Sequence, residues 1–533
     1  MDDVLQFLRS ARRQVGLFLQ AYRAPLRLFG LVLAGIATAI VFFVVGAIVR
    51  VLIGPVSLGP FNGQVAAAIS DSLPGLAVRY DQAAIQWSPD EHRINLVILG
   101  ARVLDGQQRI IAQAPKAEVD LAAGPFLKGK IRVKRIALVG VQLTLVRSKT
   151  GALRLGLGRD AGDNDVLDRI RDAISKSKGG TTSLTSFAVR HARLAFFDEG
   201  TGAFIVSPDT NFQLSTGEGM FAKASPTLEA TIDASLEISG SPSHILANLK
   251  LPRGSGPVTG DISFTGLQLK ALGHNAKAFS FLTPFDLKTD ITGSFIFDQG
   301  TRLRYADLGI DAAGAVNSGN APLNVRSLKL VARYDGTTGR VLVDDVSLLG
   351  DHASAHMTGK GDLEFDADNT LTKATLDMVA DQFAVNMPGV VRQSISLGHI
   401  SMRTVYTPAL EKIEVQNLKI SGGAMNAQFN AAVTLGNGQS PAITADGSIG
   451  AMAVHDFLNY WPLHLGEGAR EWIAENIKAG RIGPVAVHAD IKPGALDLPA
   501  LPEDALNISV PMSGATVNYI DGFPPMTAVQ GTA

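Results

Sequence analysis

The chain has 533 residues, of which 46% are hydrophobic but only 18% charged, and its formal net charge is −1. That length suits three or four ordinary domains or one elongated repeating architecture, and a charged fraction below the typical ~25% favours a membrane-associated protein. The balanced charge excludes a whole-chain bias toward nucleic acid, and the absence of cysteine excludes disulfides, thiolate chemistry, cysteine-ligated zinc and iron–sulfur clusters.

Residues 28–49, LFGLVLAGIATAIVFFVVGAIV, run for 22 positions without a charge between Arg27 and Arg50. At 1.5 Å per residue they span about 33 Å, enough to cross a hydrocarbon core of ~30 Å. A cleavable signal peptide would have a shorter apolar stretch and a small-residue cleavage site, whereas Val49-Arg50-Val51 follows here. The stretch therefore reads as an uncleaved anchor. Arg9, Arg12, Arg13, Arg23 and Arg27, set against only Asp2 and Asp3, hold the leading segment in the cytoplasm by the positive-inside rule. Everything after residue 50 then lies beyond the membrane, in the periplasm if that membrane is a bacterial inner membrane.

From residue 85 onward the pattern is that of strands. LEATIDASLEIS (228–239) alternates without a slip, with Leu228, Ile232, Leu236 and Ile238 on the apolar parity and Glu229, Asp233 and Glu237 on the other. GVQLTLVR (140–147) groups Val141, Leu143 and Leu145. DISFTGLQLK (261–270) groups Ile262 and Phe264 before Gly266 marks a bulge or a shift of parity. Phe295 and Phe297 follow in GSFIFDQG, then Leu328, Leu330 and Tyr334 in SLKLVARYDG, with a turn at Asp335-Gly336. Met425, Ala427, Phe429, Ala431, Val433 and Leu435 share one parity in AMNAQFNAAVTLGNG. Turn signals such as DG, GNG and SGG separate these runs, which repeat in pattern but not in residues.

Two helical stretches interrupt the strands. DNDVLDRIRDAISKSK (163–178) has Val166, Ile170 and Ile174 at helical spacing. Residues 454–483 read as a short helix, a break at Pro462 and a second helix whose face carries Ala469, Trp472 and Ile473, with Gly480 as its C-cap. The pair is expected to plug or cap the sheet.

Chemistry-bearing constellations are sparse. His352 and His356 share a parity in DHASAHMTG, but the Glu of a zinc-protease helix and a third ligand are missing. His191, Asp198 and Glu199 are neighbours in HARLAFFDEG, where the carboxylates precede Gly200 and Gly202 as solvated turn residues do. There is no nucleophile elbow, P-loop or dinucleotide fingerprint. The basic run KGKIRVKRI (128–136) reads as a solvated strand edge, with contact to anionic headgroups as a second option. No catalytic residue, metal or cofactor is expected, and the chain is not read as an enzyme.

Three stretches carry a resemblance. The first is LAVRYDQAAIQWSPDEHRINLVILGARVLDGQQRIIAQAPKAEVDLAAGPFLKGKIRVKRIALVGVQLTLVRSKTGALRLGL (76–157), with Trp87-Ser88-Pro89 and a basic-Ile-x-Leu-x-Gly-Val-x-Leu-x-Leu-x-Arg strand. The second is LNYWPLHLGEGAREWIAENIKAGRIGPVAVHADIKPG (458–494), and the third ATVNYIDGFPPMTAVQGTA (515–533). In this order they resemble the AsmA-like family, most closely its YhdP branch, with TamB-type bridge-like lipid transfer proteins as cousins. Chains of that branch run much further, so the resemblance implies an N-terminal fragment. It also implies a fold that is mainly β: a transmembrane helix followed by an elongated, curved sheet of antiparallel strands forming a trough, apolar inside, with a few short helices.

The implied layout is a cytoplasmic basic segment (1–27), the membrane helix (28–49), an N-terminal β region (50–160), a helical or linker insert (161–180), a repeating β trough (181–450), the helical pair (451–482) and a continuing β region (483–533). The implied function is carriage of phospholipids between inner and outer membranes, in support of the outer-membrane barrier. Candidate groove-lining residues are Leu228, Ile232, Leu236, Ile238, Ile262, Phe264, Phe295, Phe297, Phe429, Val433 and Leu435. Expected partners are phospholipids, the inner membrane through residues 28–49, and an outer-membrane or envelope protein. Physically, moving a 16-carbon acyl chain through water costs about 12 kcal/mol at ~0.8 kcal/mol per exposed CH₂, and an apolar trough removes most of that.

Alternation alone reads the same in a string of β-sandwiches, each closing its own core. The alternative function is an anchored, non-enzymatic scaffold that assists assembly of outer-membrane proteins through its strand edges.

Overall fold

The computed structural model describes residues 38–532 apart from intervening stretches, the longest being 122–132, 157–173, 175–183 and 217–226. The protein is mainly β, its strands almost all antiparallel and its helices few and short among the described residues. Most of the expected membrane helix lies outside the described residues. Within it Thr38, Ala39, Val41, Phe42, Val45, Gly46 and Val49 are helical, and Val41, Phe42, Val45 and Val49 are exposed. Among the described residues no helix is long and apolar enough to cross a membrane.

The chain divides into two compact units, Met1–Val139 with Lys176–Thr185, and Gly140–Ser175 with Ser186–Ala533. The first holds β1 (Val56–Ser57), α1 (Asn62–Ser72), β2 (Ala77–Arg79), β3 (Gln82–Ser88), β4 (Arg93–Leu104), β5 (Ile110–Leu121) and β6 (Val133–Val139). One edge of β4 carries β3 and then β2, the other carries β5, and β6 follows β5. Asn95, Leu96, Val97 and Ile98 are buried in succession, so β4 is covered on both faces. Helix α1 lies against β2 and β6 and buries Val65 and Ile69. This is an ordinary closed core.

The second unit is a long meander. It opens with β7 (Gln142–Arg147), β8 (Leu153–Gly156), β9 (Ser186–Asp198), β10 (Phe204–Thr216), β11 (Thr227–Ile238), β12 (Ser241–Pro252) and β13 (Val258–Gln268). Helix α2 (Leu269–Asn275) and a 3₁₀ turn (Lys277–Leu282) intervene. The strands resume with β14 (Phe285–Phe297), β15 (Leu303–Asn317), β16 (Pro322–Asp335), β17 (Arg340–Gly350), β18 (Ala353–Phe365) and β19 (Leu371–Val385). Next come β20 (Ile395–Leu397), β21 (His399–Thr407), β22 (Lys412–Gly422), β23 (Met425–Thr434) and β24 (Ala442–Ile449).

From β9 to β19 each strand pairs with the next in an antiparallel ladder. β20 and β21 then share one edge of β19, and the ladder continues through β22, β23 and β24. β7 joins β9 in parallel and carries β8 on it. The connections are tight where the sequence allows. Between β11 and β12 only Ser239 and Gly240 turn the chain, both at positive φ (48° and 81°), as a two-residue hairpin loop matched to strand twist requires.

A smaller module ends the unit. It contains β25 (Met452–Ala453), α3 (Val454–Tyr460), α4 (Glu467–Asn476), β26 (Ile477–Ile482), β27 (Val485–Ile491), β28 (Leu506–Ser509), β29 (Pro511–Val517) and β30 (Met526–Thr532). β27 and β28 extend the meander from β24, whereas β25, β26, β29 and β30 form a second sheet. Phe457, Leu458 and Ile473 of the helices pack with Ile477, Ile482, Val510 and Val517, and Met425, Ile449, Val487 and Ile508 of the meander lean on this core.

The second helix ends at Asn476, and Gly480 lies within β26 against Ala515 instead of capping a helix. Trp472 is 49% exposed, and the buried residues of α4 are Arg470 and Ile473. Arg470 goes inward because its guanidinium meets the carbonyls of Leu458 and Trp461 where α3 ends. Of the expected helix at 163–178 only Ile174 is described, helical and fully buried.

Candidate functional site

Following the ladder across the meander from the candidate Ile232 shows what one face is made of. Ile232 stands opposite Ala247, which stands opposite Ile262; Gly293, Leu308 and Ala332 continue the row. Val343, Gly359, Met378 and Met402 carry it on to β21. No polar side chain enters in nine inter-strand steps, an arc of about 43 Å at ~4.8 Å per step. A second row begins at Ala234, passes Ile245, Phe264, Ile291 and Ile310, and arrives at Ile400 and Ile420 through Leu330, Val346, Met357 and Ala380.

Such rows survive because irregularities in the ladder coincide with slips in the apolar parity. Val343 and Val346 both face Ala332 and Leu330, and the ladder shifts at Asp344-Asp345 between them. Val415 and Leu418 do the same around Asn417, which sits at φ +51°. Each bulge returns the apolar set to the same side.

The opposite face is mainly polar and cross-linked, although Leu246, Leu342 and Leu349 are exposed on it. Asp233 pairs with His244 at 2.8 Å, Asn248 donates to Asp261 at 2.9 Å, and His488 meets Asp446 at 2.6 Å. Arg333 forks onto Asp344 with bonds of 2.7 and 2.8 Å. That fork holds the Asp344 carboxyl below its ordinary range, while the bond from Tyr305 to Asp307 pushes the Tyr305 phenol up. His356 belongs to this polar face, 3.5 Å from Asp345, and His352 contacts the carbonyl of Asn386. A recess of about 650 Å³ lies on this side near Pro208 and Gly266, lined by Glu237, His244, Lys288 and Asp290 among others. Its mixture of charge signs defines no ligand.

All the candidate residues within strands lie on the apolar face: Leu228, Ile232, Leu236 and Ile238 on β11, Ile262 and Phe264 on β13, Phe295 and Phe297 on β14, and Phe429 and Val433 on β23. Leu435 follows the end of β23 and is 43% exposed. Ile232, Leu236, Ile262, Phe264, Phe295, Phe297, Phe429 and Val433 are half-buried. A closed sandwich would bury side chains of this size almost completely. Midway along the row Leu308 is 39% exposed, so the face is uncovered there.

Two candidates differ: Leu228 and Ile238 are 1% and 2% exposed and act as packing residues. At the Ile238 end, α2 lies against β11, β13 and β14, where Leu267 and Leu287 are also buried. The Asn275 amide fastens α2 to β10, accepting from the Phe204 N–H at 2.9 Å and donating to its carbonyl at 2.6 Å. Reading the sequence missed Met378, Met402 and Leu308. Their own alternation is the signal that could have found them.

His191, Asp198 and Glu199 do not converge. His191 meets Asp209, Glu199 pairs with Arg154, and Asp198 is buried, accepting from the Gly200 N–H and the Thr201 hydroxyl beside Arg147. The expectation of a solvated Asp198 is thus overturned: it builds the turn from inside. Its carboxyl is held below the usual range, first by the Gly200 amide.

Comparison of the chain with family models, with curated proteins and with solved structures gives no match.

Proposed function

We propose that the second unit carries lipid acyl chains along its uncovered apolar face, in a chain anchored in the bacterial inner membrane by residues 28–49, with its N-terminus cytoplasmic and the bulk of the chain periplasmic. On this reading phospholipids pass between inner and outer membranes, as the resemblance to AsmA-like proteins of the YhdP branch implies. The observation that carries the proposal is the unbroken apolar row from Ile232 to Met402, most of it half-buried, with Leu308 exposed, on one side of a sheet whose other side is mainly polar.

Three features support it. The face offers contiguous apolar surface, which soluble proteins seldom leave uncovered without an occupant. Bulges recur along the meander, and bulges are the usual means of curving a sheet. The chemistry needed is shelter from water, which requires no catalytic group.

The test is to produce residues 51–533 in a bacterial periplasm, purify them without detergent, and identify bound lipid by mass spectrometry against a soluble periplasmic control. Several phospholipids per chain are expected. A folded chain free of lipid would overturn the proposal.

A further inference from the structure

On the apolar face, Phe429 of β23 stands directly opposite Gly447 of β24. A Cβ built on Gly447 would come within 1.9 Å of the Phe429 Cδ1, 2.5 Å of Cε1 and 2.6 Å of Cγ. The ring therefore lies down across the glycine and does not stand away from the sheet. The same arrangement recurs at Gly359, whose Cβ would meet the Met378 Sδ at 2.3 Å, and a Cβ on Gly260 would meet the Phe295 Cζ at 2.9 Å, beside Leu249 and the Asn248 carbonyl. Long side chains in a closed core stand up to interdigitate with a second layer. Here they fold onto the floor.

We propose that Gly447 sets the clearance above the apolar face: by letting the Phe429 ring lie flat, it leaves room for an extended acyl chain to pass over this point. The inference rests on the lipid-carrying reading and adds a positioning residue that touches no lipid itself.

Gly447 is the position at which this can be tested cleanly. The three atoms nearest a Cβ there all belong to the Phe429 ring, whereas a Cβ on Gly359 would also come within 2.7 Å of the backbone oxygen of Asp377. Gly447 is not among the residues at positive φ, so alanine suits its backbone. Gly447→Ala should be accommodated by rotation of the Phe429 ring, which is only half-buried.

The experiment uses the full chain in a bacterial envelope, with a photo-crosslinking residue replacing Val433, two residues along the same face from Ala431, or replacing the distant Leu308. Lipid adducts are quantified by mass spectrometry. Gly447→Ala is expected to lower the adduct at Val433 about tenfold, equivalent to ~1.4 kcal/mol, and to leave the adduct at Leu308 unchanged. Adding Phe429→Ala to Gly447→Ala should restore it. Unchanged labelling at Val433 in Gly447→Ala would overturn the inference, and so would failure of the double variant to restore it.

If Gly447→Ala abolishes the adduct at Leu308 as well, the chain has lost its fold. Ala445→Phe then takes its place: it sets a ring opposite Ala431, where no glycine lets it lie down, and should depress labelling at Val433 alone. Normal labelling there would overturn the inference. A wild-type chain without adducts at either position would instead refute the lipid-carrying reading itself.

Discussion

Phe264 and Leu267 stand three residues apart on β13, yet both belong to the apolar face, opposite Ile291 and Thr289 of β14. Three residues of regular strand would place them on opposite sides. Gly266 absorbs the difference at φ +75°, and its N–H donates to the Asp290 carboxylate at 2.7 Å. The bulge keeps the face apolar through a break in the sequence pattern.

Gly266→Ala should therefore destabilise the second unit through backbone strain alone. A Cβ there meets nothing closer than 3.6 Å, so no clash contributes, and the left-handed conformation costs an L-residue about 1–2 kcal/mol. Gly266→Asn should cost less, since Asn tolerates that region. Urea midpoints at unchanged slope measure both. Equal losses for the two variants would show that something other than φ is at stake.

Ile232 and Leu228 share β11 and its apolar face but differ in burial. Ile232→Asp places a charge on a half-exposed wall, which it can hydrate, so the chain should fold and lose its lipid. Leu228 is 1% exposed, and Leu228→Asp puts an unpaired charge in the core, where a loss of about 3–5 kcal/mol is expected. Circular dichroism and lipid content of the two purified variants separate the roles. Normal lipid content in folded Ile232→Asp would count heavily against an acyl path over β11.

The β character and the apolar parity of β11, β13, β14 and β23 were legible because alternation is a local property. Whether that parity faced a second layer was not, since a core strand and a wall strand have the same alternation. The stretch VLVDDVSLL (341–349) shows a further limit: it looks like a broken pattern until the ladder shows Asp344-Asp345 accommodated at a shift with Val343 and Val346 on one side. Trp472 misled for a different reason. Helical spacing puts it beside Ile473, but two carbonyls at the end of α3 draw Arg470 inward, and hydropathy assigns an arginine to the surface. Asp198 was misplaced likewise, because partners distant in the chain such as Arg147 cannot be read from a turn.

Asp198 gives the unit an acid sensitivity whose sign follows from its depressed pKa. The native state prefers the ionised carboxylate, held by the Gly200 amide, the Thr201 hydroxyl and Arg147. Its contribution is fully present above the unfolded-state value of about 3.9 and is lost as pH falls through the lower folded value. Asp198→Asn should lower stability at neutral pH and flatten the fall below pH ~4. Urea unfolding of both proteins at neutral and acid pH reads this directly. Parallel curves would exclude Asp198 as a contributor to the acid limb.

Arg470 supplies the strongest test of the helical module. It is 9% exposed on α4, and its Nη2 and Nε donate to the carbonyls of Leu458 and Trp461 at 3.4 Å each. Helix α3 ends at Tyr460, so these carbonyls lie at the negative end of its dipole and need donors from outside the helix. Arg470→Ala removes both donors and the aliphatic stem that packs beneath them, and should cost about 1–3 kcal/mol. Arg470→Lys keeps a charge but not the two-nitrogen reach, and should fall between. The partly buried ring of Trp461, 5.1 Å from that of Phe457, reports the loss by fluorescence during urea unfolding. A midpoint unmoved in Arg470→Ala would mean that the Phe457–Ile473 core holds α3 and α4 together without the guanidinium.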